Sequence, residues 1–229
     1  MAVVNGVSLL ENLFKKSPAR RIALGFAIAA VFLFLAGTLS HHDIFSAFDL
    51  TIRNNVIPLQ SQWLTDLMVF VTRLGSTTGL FILGSVVVLG LIVFRQWKIA
   101  ELFLLAMIGQ AILHHGFKMI FSIARPESLI PYAIDDSASF PSGHAVAATA
   151  FYGFLALVAA QRTTSKTLRI FVLGLAAVLI LLICFSRIYI GVHRPSDVIA
   201  GFIAAAIWIL AVIPQSHGPV TIQTQNPSL

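Results

Sequence analysis

Cysteine and charge are what this 229-residue chain has least of. The single Cys184 excludes an intramolecular disulfide, a Cys-based zinc finger and a CxxC redox pair. It stands in the apolar run VLGLAAVLILLICF, where inert packing is its expected role. Only 10% of residues are charged, against about a quarter in an ordinary soluble domain, while 58% are hydrophobic. A soluble globule of this composition would have a greasy surface, and a disordered chain needs the opposite balance. Internal repeats are also absent. What is left is an all-α polytopic membrane helical bundle. At roughly 20 apolar residues per span, the length allows about six helices in one membrane domain.

Six apolar stretches are present: Ile22 to Leu39, Thr77 to Phe94, Ile99 to about Phe121, about His144 to Ala160, Leu168 to Ile188, and Asp197 to Ile213. The first, behind Lys15, Lys16, Arg20 and Arg21, also has the layout of a secretory signal peptide. Its long basic region and apolar run of about 17 residues favour a span instead. The expected organisation is a cytoplasmic N-terminal segment over 1–21, a six-helix membrane domain over 22–213 and a flexible cytoplasmic tail over 214–229.

The net charge of +6 would suggest nucleic acid in a soluble protein, but here the charges sort by loop. One side carries Lys15, Lys16, Arg20, Arg21, Arg95, Lys98, Arg162, Lys166 and Arg169 against Glu11 and Glu101. The other carries Arg53, Arg73, Lys118, Arg125, Arg187 and Arg194 against Asp43, Asp49, Asp66, Glu127, Asp135, Asp136 and Asp197. By the positive-inside rule the first side, with both termini, is cytoplasmic. In the loop from Ser40 to Ser76, Trp63, Leu64, Leu67, Met68, Val71 and Leu74 recur at helical spacing, with Gln60, Gln62, Asp66 and Arg73 on other faces. This predicts an amphipathic helix at the outer interface, either covering the bundle or gating lipid access.

Ionisable groups in or beside spans are functional candidates, and on the outer side they cluster. Lys118 and Arg125 are seven residues apart, about two helical turns, so both can project into one cavity; alone they would be snorkelling anchors. Pro141-Ser142-Gly143-His144 opens the fourth span. Proline suits a first turn, and the backbone N–H groups of Ser142 and Gly143 would form an anion site beside His144; a capped helix with an interfacial histidine is the plainer alternative. Asp197, four residues after His193, can accept one ring N–H and leave the other nitrogen as a nucleophile; alone the two could be a buried polar pair. Arg187 adds a guanidinium matched to phosphate oxygens. Together the segments supply three cations, a helix N-terminal site and two histidines, the equipment for phosphoryl transfer without a metal.

Lys118-x6-Arg125-Pro126, Pro141-Ser142-Gly143-His144 and Ser186-Arg187-x5-His193-x3-Asp197 resemble the three signature motifs of the type 2 phosphatidic acid phosphatase superfamily, in order and spacing, with no departure. The resemblance implies that His193 attacks phosphorus and Asp197 orients it. It implies that His144 protonates the leaving oxygen and then activates water, while Lys118, Arg125, Arg187, Ser142 and the Gly143 N–H hold the phosphate. No metal or other cofactor is implied. The motifs occupy Lys118 to Asp197, and the six-span layout extends the likeness to about 22–213.

The function expected from this is hydrolysis of a membrane lipid phosphate at the outer face of a bacterial inner membrane. Undecaprenyl pyrophosphate, phosphatidylglycerophosphate, phosphatidate and lipid A phosphates are all candidate substrates, and the partners are the bilayer and its lipids, with no nucleic acid. A lipid-to-lipid phosphotransferase would use the same residues, with an acceptor hydroxyl replacing water. A non-enzymatic transporter or binding protein would be expected to show a damaged motif, and none is damaged. His114 and His115 lack a carboxylate or cysteine at metal-ligand spacing and read as polar groups in or near the core. His41, His42 and His217 read as solvated, as do Asp135 and Asp136.

Overall fold

The computed structural model describes residues 17–129 and 137–214, which form helices and no strands. Lys15, Lys16, Glu11, Asp135, Asp136, His217, most of the N-terminal segment and the C-terminal tail beyond residue 214 lie outside the described residues. The helices are α1 (Pro18–His41), α2 (Ser46–Val56), α3 (Gln62–Leu74), α4 (Thr77–Val93), α5 (Trp97–Phe121), α6 (Gly143–Arg162), α7 (Lys166–Tyr189) and α8 (Pro195–Val212), with a 3-10 turn at Ile57–Leu59.

Five of them, α1, α5, α6, α7 and α8, are long and apolar enough to cross a membrane. The expected second span is different. Its helix α4 has 17 residues, about 25 Å, which is short for a hydrocarbon core of about 30 Å. Taken with α3 it passes the same test as a pair bent by 46°, giving up to six spans. The break falls at Gly75-Ser76, where Ser76 Oγ accepts the Gly79 N–H and caps α4.

The centre of the bundle is α6 and α8, whose Ala-rich faces let the backbones approach closely. Against α8 pack α1, α5 and α6, and α7 closes on α6 from the other side. Small residues set these crossings: a Cβ on Gly109 of α5 would fall 2.2 Å from the Trp208 ring. That indole is buried and donates its N–H to Ala106 O at 2.9 Å. Arg21, counted above among the cytoplasmic charges, is buried, and its Nε donates to Ala211 O near the C-terminus of α8 at 2.9 Å. By contrast α4 buries only Leu80, so it is held loosely at the edge of the bundle.

Candidate active site

Three chain segments meet where α5 ends and α6 and α8 begin. The left-handed residue Ser122 ends α5, and the chain returns along it with Ser139 N–H bound to Ile123 O at 2.7 Å. This brings Ser137 and Ser139 beside Arg125. At the other edge Gly191 has φ +83, and Leu129 N–H donates to Ile190 O beside it. A Cβ there would come within 2.9 Å of Leu129 N, so glycine serves both the backbone conformation and the close approach.

His193 is 3% exposed. Arg125 Nη1 lies 2.9 Å from His193 Nε2, and because guanidinium nitrogens only donate, Nε2 is the acceptor. The ring proton is then on Nδ1, which faces Ser139 Oγ at 3.5 Å and Asp197 Oδ2 at 3.9 Å. The expected His193-to-Asp197 hydrogen bond is thus replaced by a longer contact, with Ser139 alongside and donating to Asp197 Oδ2 at 2.5 Å. Asp197 is fully buried, also accepts the Arg194 N–H at 3.1 Å, and its Oδ1 has no hydrogen-bond partner among the described residues. Sequence reading missed Ser139, although it stands only two residues before Pro141.

The basic residues divide between two environments. Lys118 Nζ donates to Ser137 Oγ at 2.8 Å; Arg125 donates to Ser137 O at 2.8 Å and to Val192 O at 2.9 Å. Both line a cavity with His144, Gly143 and His193. Arg187 is buried behind it and donates to Thr72 Oγ1 of α3 at 2.8 Å, a second partner that no motif announced.

The start of α6 also departs from expectation. Pro141 precedes the N-cap Ser142 instead of sitting in the first turn. The Ser142 N–H is bound to Asp197 O at 3.1 Å and is therefore not a free anion donor; its buried Oγ has no partner among the described residues. Gly143 packs against His114, since a Cβ would come 2.6 Å from His114 Nε2. The His114 and His115 rings are tilted by 53° with centroids 4.5 Å apart, and both line the same cavity. Among the described residues they join no cluster of three or more potential metal ligands.

The cavity itself has a volume of about 780 Å³ and continues between α4, α5 and α6. On α5 it is lined from Lys118 down to Phe103, fifteen residues or about 22 Å of helix. Polar groups gather at the histidine end, while Leu80, Val88, Leu89, Ile92, Leu104 and Met107 line the remainder. An anionic head and a long apolar body suit such a space.

Residues 100–219 match the PAP2 superfamily. The chain is 31% identical over 173 residues to phosphatidylglycerophosphatase B of Bacillus subtilis (strain 168), covering 75% of this chain and 84% of that protein. It is 30% identical over 164 residues to undecaprenyl-diphosphatase of Sulfolobus acidocaldarius, covering 69% and 73%. Its fold is similar to the crystal structure of a transmembrane PAP2 type phosphatidylglycerolphosphate phosphatase from Bacillus subtilis, with TM-score 0.72, 25% identity and coverage of 82% of this chain and 93% of that one. The Aquifex aeolicus LpxE structure shares the fold at TM-score 0.53 and 23% identity, over 71% of this chain and 93% of that one.

Proposed function

Because the chain belongs to the PAP2 superfamily, a class of metal-independent phosphatases, we propose that it hydrolyses the phosphomonoester or pyrophosphate of a membrane lipid through a phosphohistidine on His193. The observation that carries this reading is the buried His193, whose Nε2 lies 2.9 Å from Arg125 Nη1 at the polar end of a mostly apolar cavity.

In the first step Nε2 attacks phosphorus, the bond to the leaving oxygen (the lipid alkoxide of a monoester or the bridging oxygen of a pyrophosphate) breaks, and His144 gives that oxygen a proton. In the second, His144 takes a proton from water, the hydroxide attacks phosphorus, and the nitrogen–phosphorus bond breaks to release inorganic phosphate. Lys118, Arg125 and Arg187, with Ser142 Oγ and the Gly143 N–H, hold the non-reacting oxygens. Arg125, Lys118 and Gly143 line the cavity, and the buried Ser142 Oγ has no hydrogen-bond partner among the described residues, which supports these roles. Asp197 steadies the Nδ1 proton as the ring gains positive charge.

The lipid tail would lie in the cleft between α4 and α5, which the weak burial of α4 makes accessible from the bilayer. The exposed Trp63, Leu67 and Phe70 of α3 support its placement in the outer interface, with Met68 and Val71 turned inward. With the basic loops cytoplasmic, the reaction faces the outer side of a bacterial inner membrane. Phosphatidylglycerophosphate and undecaprenyl pyrophosphate are the substrates to try first, since relatives bear those activities in their names.

The test is phosphate release by the detergent-purified protein from a panel of phosphatidylglycerophosphate, phosphatidate, undecaprenyl pyrophosphate and lipid A, with and without EDTA. Activity that survives EDTA and disappears in His193→Ala is expected. Full activity in His193→Ala refutes the phosphohistidine.

A further inference from the structure

Asp49 belongs to none of the three motifs and lies outside the part of the chain matched to the family, yet it is only 7% exposed. It stands on α2, a helix that sequence reading left inside a loop. One carboxylate oxygen accepts the Ser196 N–H at 2.8 Å and the other accepts the Ser196 hydroxyl at 2.7 Å, across 147 residues of sequence. Ser196 is the second residue of α8, between Pro195 and Asp197. Its N–H is one of those that a helix start leaves without an intrahelical acceptor.

The first turn of α8 is therefore held from two sides. From within, Asp197 binds the Arg194 N–H; from outside, Asp49 binds Ser196. His193 and Asp197 flank this turn, and their 3.9 Å separation depends on its position. A cavity of about 330 Å³ between α2 and the start of α8 is lined by both Asp49 and His193, so the acid and the reacting ring border one space. Apolar docking of α2 is separate: Val56 packs with Tyr189, Ile190 and Val192.

We propose that Asp49 is a positioning residue for His193, fixing the first turn of α8 so that Asp197 and Ser139 stay in register with Nδ1. The inference rests on the phosphohistidine reading above. Displacement of a reacting group by about 1 Å can cost on the order of a hundredfold in rate, so loss of the Asp49 clamp should show in turnover more than in substrate affinity.

The experiment compares Asp49→Ala, Asp49→Asn, Val56→Ala and His193→Ala as full-length proteins in detergent, with kcat, KM and Tm measured for each. Asp49→Ala is expected to lower kcat by about ten- to a hundredfold with KM within about threefold. Asn keeps an acceptor for the N–H and a donor for the hydroxyl, so Asp49→Asn should recover kcat to within about threefold of the parent. Val56→Ala loosens the same helix and loses comparable Tm, but should keep kcat within about twofold. If Asp49→Ala does not accumulate folded, Ser196→Ala removes one of the two bonds and is expected to lose about three- to tenfold in kcat. The proposal is overturned if Val56→Ala loses as much kcat as Asp49→Ala at equal Tm, if Asp49→Asn recovers nothing, or if the alanine variants keep kcat within twofold. An inactive His193→Ala with a flat response at Asp49 removes the positioning role alone; an active His193→Ala removes the phosphohistidine itself.

Discussion

Ser139→Ala should cost activity out of proportion to its size. Ser139 is fully buried, and among the described residues its hydroxyl supplies one of two hydrogen bonds that reach Asp197 Oδ2, the other coming from the Arg194 N–H. Among the described residues Asp197 Oδ1 has none, so the variant leaves the carboxylate with a single donor from them. A hydrogen bond to a charged, buried acceptor is worth about 1.5–3 kcal/mol. If that support is needed mainly when the His193 ring becomes cationic, the loss appears in the transition state. At about 1.4 kcal/mol per factor of ten, kcat falls by about ten- to a hundredfold. KM should change little, because Ser139 is not among the residues lining the substrate cavity. Phosphate release from a short-chain phosphatidate in detergent micelles gives both constants, and single-turnover measurements should show the first step slowed. A kcat within twofold of the parent would refute the reasoning, since Asp197 would then be shown to need no partner beyond the helix start.

Three other outcomes follow from distances in the structure. Gly143→Ala drives a Cβ to 2.6 Å from His114 Nε2 and should lower kcat by about a hundredfold by shifting the start of α6 beside His144. Gly143→Ala with His114→Ala should recover part of this in the same phosphate assay, and no recovery would break the steric account. Gly84→Phe accepts its Cβ, whose nearest neighbour is 3.6 Å away, but fills the cleft with a ring. Its KM should rise about tenfold or more for a long-chain lipid phosphate and clearly less for a short-chain one, and an equal rise for both would argue against a tail in that cleft. Asp49 is held above its ordinary 3.8 chiefly by burial, opposed by the Ser196 hydrogen bonds, with Asp197 raising it further and Arg194 lowering it. A carboxyl raised in the fold contributes stability that is full below the unfolded value and is lost as pH rises through the folded one. Thermal melts should therefore show the parent losing stability relative to Asp49→Asn as pH rises from about 4 towards neutrality, and a parent that gains over that range would contradict it.

What could and could not be read from the chain follows from the range of each interaction. The five long spans were legible because lipid demands a continuous apolar run, which is a local property. That α3 and α4 could share one crossing was not, because α4 is an ordinary apolar run that merely stops short, and only its 46° junction with α3 shows the pairing. α2 was hidden for a related reason: SAFDLTIRNNV has mixed polarity, and its docking depends on Val56 meeting Tyr189, Ile190 and Val192 from the far end of the sequence. The three motifs were legible since chemistry fixes residue type and spacing within a short stretch of chain. Their supports were invisible because a hydrogen-bond partner can come from anywhere that packing delivers it. Thr72 reaches Arg187 across 115 residues, Asp49 reaches Ser196 across 147, and Ser139 reaches Asp197 across 58. A buried ionisable group in a helical bundle must find such partners, because leaving it bare costs more than the ordering of a loop. On the proposed mechanism the motifs supply the reacting atoms, while the hydrogen bonds that hold them come from α2, α3 and the segment leading into α6. Substitutions in those three places should separate turnover from binding, whereas substitutions in the motifs should abolish both readouts together.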